Sequence, residues 1–437
     1  MTEYDLTQKV TPFLDSHLVL PLLGFLRGDS VDIYAKADVL KAELDVLQKT
    51  KMQDTIIDVY KVVNKDSQVP DEMTQERDEI KNNIANLLKT CKPLMDVLQD
   101  EQTVKDLRTN NDFSLSNIKG VDISVLDSFY SLARLKYQTG QYEDAAAMLY
   151  DAKLLYQAEQ GIEAQDKAYR AAWGKLASEI LASIKSGQWD VASEDLNELR
   201  EIIDARQFDS NLQQLEHRSW WIHWSLFVFW NHPNGRSGII DQFFLEKYLS
   251  VIQNSCPWVL RYLAVAVVIN KRRRSQLKDL VKVIEQESNT YSDPVLKFLA
   301  NLYIKVDFEG AQSELPACSK VLANDYFLHS FVADFLENSR VFIFESYAKI
   351  HKVIDLDSLS QRLGVDVTEK WVANLIRNAR YSAKIYSDEK RVVMAEQSPN
   401  IYQQIVERTE GATNRSNILQ KNVLNLEKRL KAQTVKE

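Results

Sequence analysis

Two segments of one pattern decide the fold: Gly140-Gln141-Tyr142-Glu143-Asp144-Ala145 and Gly187-Gln188-Trp189-Asp190-Val191-Ala192. Each places an aromatic residue just after a turn and an alanine three positions later, and Phe308-Glu309-Gly310-Ala311 is a weaker third copy. The aromatic side chain can fill the wedge between paired helices, while the small alanine lets the neighbouring helix approach. This pattern is typical of tetratricopeptide-like repeats, although the spacing exceeds their usual ~34 residues.

Helical periodicity surrounds the first copy. Gly140 can end the first helix in the left-handed conformation, and an apolar face lies on either side of it. These faces are Val125, Leu126, Phe129, Leu132 and Ala133 before it, and Tyr142, Ala145, Ala146 and Leu149 after it. We therefore predict a mainly α fold, a right-handed TPR/HEAT-like solenoid of stacked helical hairpins.

The pattern changes after His351. A short β-type pair (Val353, Ile354) precedes two short helical segments and two strand-like runs, Ala383–Tyr386 and Arg391–Met394, joined by a polar turn. Strand, helix, helix and hairpin are the order of a winged helix. We predict helical repeats in residues 1–215 and a second domain in residues 216–397. That second domain consists of a helical bundle (216–351) and a winged helix (352–397). A C-terminal helix follows in 398–437.

Charge, cysteine spacing and motifs argue against a disulfide-stabilised secreted protein and against the common enzyme classes. The 437 residues carry a net charge of −8, and three cysteines stand far apart, which suits a reducing compartment. No phosphate loop, dinucleotide fingerprint, C-x-x-C, H-E-x-x-H or nucleophile elbow occurs. We expect a cytoplasmic protein with no catalytic residues, metal, cofactor or membrane span.

Two local features have two interpretations each. The Trp-rich run Trp220–Trp230 is interpreted as a helix buried in the stack, with a partner-facing aromatic patch as the alternative. The basic run Lys271, Arg272, Arg273 and Arg274 is either a solvated cluster or a contact for RNA or an acidic partner.

The predicted winged helix carries no net charge over residues 353–397, so we interpret it as a protein-interaction module. Val392, Val393 and Met394 are expected to supply an open edge strand for β-augmentation, with Ile354 and Ile385 holding the sheet. In the C-terminal helix, Leu419, Val423, Leu426 and Leu430 have the spacing of a coiled-coil seam and are expected to anchor it in a helical bundle.

A helical-repeat arm, a winged helix and a C-terminal helix together resemble the PCI-domain proteins, and among them the subunits of translation initiation factor 3. Seven stretches carry the resemblance: Met1–Thr7, Phe13–Val19, Pro21–Leu23, Trp173–Leu181, Ile222–Phe229, Leu277–Ile284 and Leu375–Arg380. It is weakest around residues 62–120 and after 398.

The resemblance implies a non-catalytic scaffold that supports the 43S/48S preinitiation complex and messenger RNA recruitment. Its implied partners are factor 3 subunits c, d and l, the small ribosomal subunit and the cap-binding scaffold factor. Two alternatives stay open: a scaffold subunit of the proteasome lid or COP9 signalosome, and a PCI protein that binds RNA directly.

Overall fold

The computed structural model describes residues 4–28, 33–63, 70–99, 123–159, 161–270, 275–356, 369–379, 383–394 and 401–434. The chain divides into two compact units, Met1–Ser339 and Arg340–Glu437. The division falls within helix α17 (Val332–Ile350). Both units consist mainly of helices, as predicted for a helical solenoid followed by a winged-helix region.

The first unit is built from helices and short 3-10 turns. The turns are Thr11–Phe13, Pro257–Val259 and His329–Phe331. The helices, in chain order, are α1 (Thr7–Val10), α2 (Ser16–Arg27), α3 (Lys36–Leu47), α4 (Gln53–Val63), α5 (Asp71–Gln99), α6 (Ile123–Gln138), α7 (Tyr142–Ala158), α8 (Ile162–Ser186), α9 (Asp190–Ala205), α10 (Asn211–Asn231), α11 (Gly235–Phe243), α12 (Glu246–Ser255), α13 (Leu260–Ile269), α14 (Leu277–Glu287), α15 (Pro294–Tyr303) and α16 (Phe308–Ala323).

The two strong copies of the repeat pattern are helical hairpins, as predicted. Gly140 (φ 87°) separates α6 from α7, and Gly187 (φ 75°) separates α8 from α9. Only glycine adopts this left-handed conformation without steric cost. The alanines of all three copies, Ala145, Ala192 and Ala311, are fully buried. In the weaker third copy, Val306 takes the left-handed position before α16 (φ 55°), and the side chain of Asp307 accepts a hydrogen bond from the Gly310 amide.

The predicted face of α6 lies in the core. Leu126, Phe129, Leu132 and Ala133 are buried and pack with Leu149 and neighbouring residues of α7 and α8. Each hairpin therefore buries its apolar stripe against its neighbours, which is how solenoids are stabilised.

The Trp-rich helix α10 is a core element, which confirms the first of its two interpretations. Trp221, Trp224 and Trp230 are buried, and only Trp220 is partly exposed. The predicted boundary between residues 215 and 216 lies inside this continuous helix. The division into domains at these residue numbers stays a prediction.

The second unit contains a small sheet and a long helix. After α17 come β1 (Val353–Asp355), α18 (Glu369–Ala379), β2 (Ala383–Tyr386), β3 (Arg391–Met394) and α19 (Ile401–Thr434). The strands form one antiparallel sheet in the order β1-β3-β2. The predicted helix after Leu356 lies outside the described residues.

Candidate interaction surfaces

The sheet corrects one sequence prediction. Val392, Val393 and Met394 do not form an edge strand, because β3 pairs with β1 on one side and with β2 on the other. A central strand is hydrogen-bonded on both sides and therefore has no free backbone edge to offer a partner strand. The edges of the described sheet are β1 and β2, which carry Ile354 and Ile385.

Side-chain alternation defines the two faces of this sheet. Ile354 and Ile385 both lie opposite Val392, and these three residues share the inner face. Ile354 and Val392 are fully buried there. Val353 and Lys384 lie opposite Val393 on the other face, where Val353 and Lys384 are exposed. The outer face therefore mixes apolar and charged side chains.

Helix α18 packs its apolar stripe inward. Val372, Leu375 and Ile376 are buried, whereas Arg377 is exposed and donates a hydrogen bond to the side chain of Asn374. The helical spacing also predicts Trp371 in this core, but its side chain lies outside the described residues. The burial of these residues confirms that α18 places its apolar positions in a core.

Helix α19 exposes large apolar side chains. Leu419 and Val423, two of the predicted anchors, are 64% and 61% exposed. Leu426 and Leu430 lie on the same helix, but their side chains are outside the described residues. The fold thus leaves at least the first two anchors uncovered.

The exposed stripe of α19 begins earlier than the seam predicted from the sequence. Tyr402 and Ile405 are 77% and 54% exposed. Alternating steps of three and four residues connect them through Thr409, Ala412 and Ser416 to Leu419. This is the same a/d spacing as the predicted seam. The sequence pattern did not reveal this continuation, because the middle positions of the seam, Thr409, Ala412 and Ser416, are small and mostly polar.

The N-terminal segment packs onto α10. The ring of Phe13 stacks on His223, and the Trp224 indole donates a hydrogen bond to the Phe13 carbonyl at 3.0 Å. His223 Nδ1 lies 2.7 Å from the Ser219 carbonyl, while Trp258 Nε1–H donates to His223 Nε2 at 3.1 Å. These partners fit the neutral Nδ1–H tautomer, and burial lowers the pKa of His223 to about 4.

A buried arginine was missed at the sequence level. Arg261 lies in the otherwise apolar helix α13 and contacts Asp293, Asp325 at 3.4 Å, and the Tyr4 carbonyl at 2.7 Å. The charge of Asp293 raises the pKa of the Arg261 guanidinium despite burial, while burial raises the pKa of Asp325. A lone arginine inside an apolar run was the available signal, because a buried charge requires partners.

The remaining predicted site cannot be placed in the structure. Lys271, Arg272, Arg273 and Arg274 lie outside the described residues. Within the described ranges, His, Cys, Asp and Glu side chains nowhere cluster as a metal site. In the same ranges no single helix is long and apolar enough to cross a membrane; the pair Glu246–Ser255 and Pro257–Ile269 reaches that length only across a 117° bend.

In chain order the structure has helical hairpins, a three-stranded antiparallel sheet and a final exposed helix, which is the plan that the resemblance to PCI-domain proteins implies. Family models match the chain in two places. The model described as "eIF3 subunit 6 N terminal domain" matches residues 5–136, and the model of the PCI domain matches residues 312–396.

Relatives that match along almost the whole chain identify the particular family. Proteins named as the E subunit of eukaryotic translation initiation factor 3 are 41% identical over 432 residues in Bombyx mori and 38% identical over 429 residues in Arabidopsis thaliana. The matches cover 96% and 94% of this chain and 94% and 95% of those proteins. A third relative of that name, from Aspergillus terreus, is 40% identical over 430 residues, covering 95% of this chain and 93% of its own. The chain belongs to the family of E subunits of eukaryotic translation initiation factor 3.

Proposed function

We propose that this chain is a non-catalytic scaffold subunit of translation initiation factor 3. The observation that carries the proposal is the match along almost the whole length to proteins named as the E subunit of that factor. The match includes both the N-terminal family domain and the PCI domain. The relatives' name also favours factor 3 over the proteasome lid and the signalosome.

The surfaces of the second unit support a role in assembly. Exposed apolar stripes on soluble proteins usually mark interaction sites, and the seam of α19 runs through Tyr402, Ile405, Leu419 and Val423. We propose that α19, with Leu426 and Leu430 continuing the seam, enters a helical bundle formed with other subunits. An edge strand of the sheet, β1 or β2, would add to a neighbouring winged helix by backbone pairing.

The wider assignment follows from the same family membership. We propose that the chain acts in the cytoplasm without a cofactor and contacts neighbouring subunits, among them c, d and l. Through the assembled factor it would act at the small ribosomal subunit and with the cap-binding scaffold factor. Contact between the run Lys271–Arg274 and RNA is a second proposal, which that run's dense positive charge favours.

Affinity purification of the tagged full-length chain tests the scaffold proposal. Quantitative mass spectrometry should recover the other factor 3 subunits in near-equal amounts. Recovery of proteasome-lid or signalosome subunits instead would keep the fold and overturn the function. Recovery of RNA without a stoichiometric protein partner would contradict the scaffold role.

The RNA proposal has its own test. Neutralising Lys271, Arg272, Arg273 and Arg274 to Gln should reduce RNA affinity and flatten its dependence on salt, because each phosphate contact releases counterions. An unchanged salt slope would show that this run does not contact RNA.

A further inference from the structure

The N-terminal helices enclose a groove that is not part of the surfaces described above. Its volume is about 640 Å³, and it lies between the α1 segment and the pair α2–α3. This volume falls within the range of clefts that bury a small ligand. Its apolar floor includes Val19 and Leu23 from α2 and Val39, Ala42 and Val46 from α3.

The floor of the groove belongs to a small core. Val19, Leu23 and Val39 are buried and pack together. Opposite them, Thr7, Gln8 and Thr11 form a polar wall along the first turns of the chain. The groove therefore has the apolar floor and polar rim that a protein partner requires.

The two ends of the groove carry opposite charges. Asp38 and Asp5 lie near the start of α3; Asp38 is exposed, and Asp5 accepts a hydrogen bond from the Tyr34 hydroxyl at 2.9 Å. At the other end, Lys49 lies just beyond the last turn of α3 and is exposed. The positions from Asp38 to Lys49 span about 16 Å of helix, or about three turns.

We propose that this groove binds an amphipathic helix of about three turns from a partner protein. The apolar stripe of that helix enters between the α1 segment and α3, in the helix-in-groove mode. A basic residue near one of its ends lies beside Asp38 and Asp5, which supply the negative end of the groove. Charge complementarity fixes the chemistry of the occupant, because an apolar floor alone would not distinguish one helix from another.

Two fluorescent peptides and the full-length chain test this proposal. The first peptide is a stapled helix of about three turns with leucines at i, i+3, i+4 and i+7 and one arginine at an end. The second has alanine in place of that arginine. Fluorescence anisotropy should show saturable binding of the first peptide, with a Kd of order 10 μM.

Variants of the polar wall and the apolar floor test whether the peptide binds in this groove. Gln8→Trp, at an exposed position of the wall, and Ala42→Trp, on the floor, should each weaken binding at least ~10-fold by filling the groove. Gln8→Trp remains informative if Ala42→Trp disturbs the fold. Ala37→Trp is the matched control, because Ala37 is an exposed alanine of α3 that does not line the groove.

A double-mutant cycle tests the charge. Replacing the peptide arginine should cost about two- to fivefold in affinity for the wild type, as for an exposed ion pair, and less for Asp38→Asn, in which only Asp5 remains at that end. Asp45→Asn is the control, because Asp45 is an exposed carboxylate of α3 outside the groove lining, and it should preserve the cost.

Three results of the peptide experiments would overturn the proposal. These are the absence of saturable peptide binding, binding that Gln8→Trp leaves unchanged, and equal coupling of the peptide arginine to Asp38 and Asp45. Self-association of the full-length chain that Gln8→Trp abolishes would also overturn it, because a second copy would then be the occupant.

Discussion

Phe13 and His223 stack face to face, with ring centroids 4.3 Å apart and ring planes within 4° of parallel. The contact joins the N-terminal segment to the central aromatic helix α10. The Trp224 indole also donates a hydrogen bond to the Phe13 carbonyl. The N-terminal segment therefore contacts α10 through both a side chain and its backbone. Residues far apart in sequence thus share one core.

The burial of His223 predicts a pH-dependent loss of stability. His223 has a pKa of about 4 in the folded chain and about 6.5 when unfolded. Between these values the unfolded state binds more protons, so the free energy of unfolding falls as pH drops from about 6.5 to 4, by up to about 3 kcal/mol. Urea titrations across this range measure the slope.

His223→Gln is the matching variant for the pH experiment. It should be less stable at neutral pH, because it loses the stack on Phe13, but its stability should change less with pH than that of the wild type. Since burial also lowers the pKa of His17, part of the slope should remain. An identical slope in both proteins would contradict the role of His223.

Removing Arg261 should destabilise the first unit strongly. Arg261→Met leaves Asp293 and Asp325 without their buried cation, which is expected to cost about 3–5 kcal/mol. The exposed Arg377→Ala should change stability by less than about 0.5 kcal/mol. Denaturant unfolding measures both.

A second substitution separates unpaired charge from lost packing. Arg261→Met with Asp293→Asn should be more stable than Arg261→Met alone, because the amide removes one uncompensated charge and can still cap α15. A double variant as unstable as the single one would show that packing, not charge, dominates this cluster.

A pair of glycine substitutions tests the turn between repeats. Gly187 has φ 75° with open space around its Cβ position, so Gly187→Ala should destabilise by about 1 kcal/mol through backbone strain alone. Gly24 lies inside α2 with equally open space, so Gly24→Ala should stabilise by about 0.5–1 kcal/mol. Changes of the same sign in thermal unfolding would contradict this conformational argument.

Local patterns predicted the elements well. The period of Leu126, Phe129 and Leu132 placed α6, and the following glycine placed its end, because both signals act within one or two helical turns. The strand order could not be derived in the same way. The residues Val392, Val393 and Met394 do not by themselves indicate whether their strand pairs on one side or on both. That depends on whether the distant strand β1 pairs with β3.

Long-range contacts were also beyond local patterns. Two contacts join segments separated by more than two hundred residues: the stack of Phe13 on His223 and the hydrogen bond from Arg261 to the Tyr4 carbonyl. The N-terminal groove likewise arises from the packing of three separate segments. Periodicity identifies an apolar face, but it does not say which other face covers it.

The most direct test of the scaffold account concerns α19. Full-length chains carrying Leu419→Asp with Val423→Asp should lose co-purifying factor 3 subunits, because burying two large side chains contributes about 3–6 kcal/mol, a factor of more than a hundred in affinity. Asn417→Asp with Gln420→Asp, on neighbouring exposed positions, is the matched control and should retain them. Loss in the first variant alone is the predicted result; wild-type recovery of the subunits by Leu419→Asp with Val423→Asp would contradict the account.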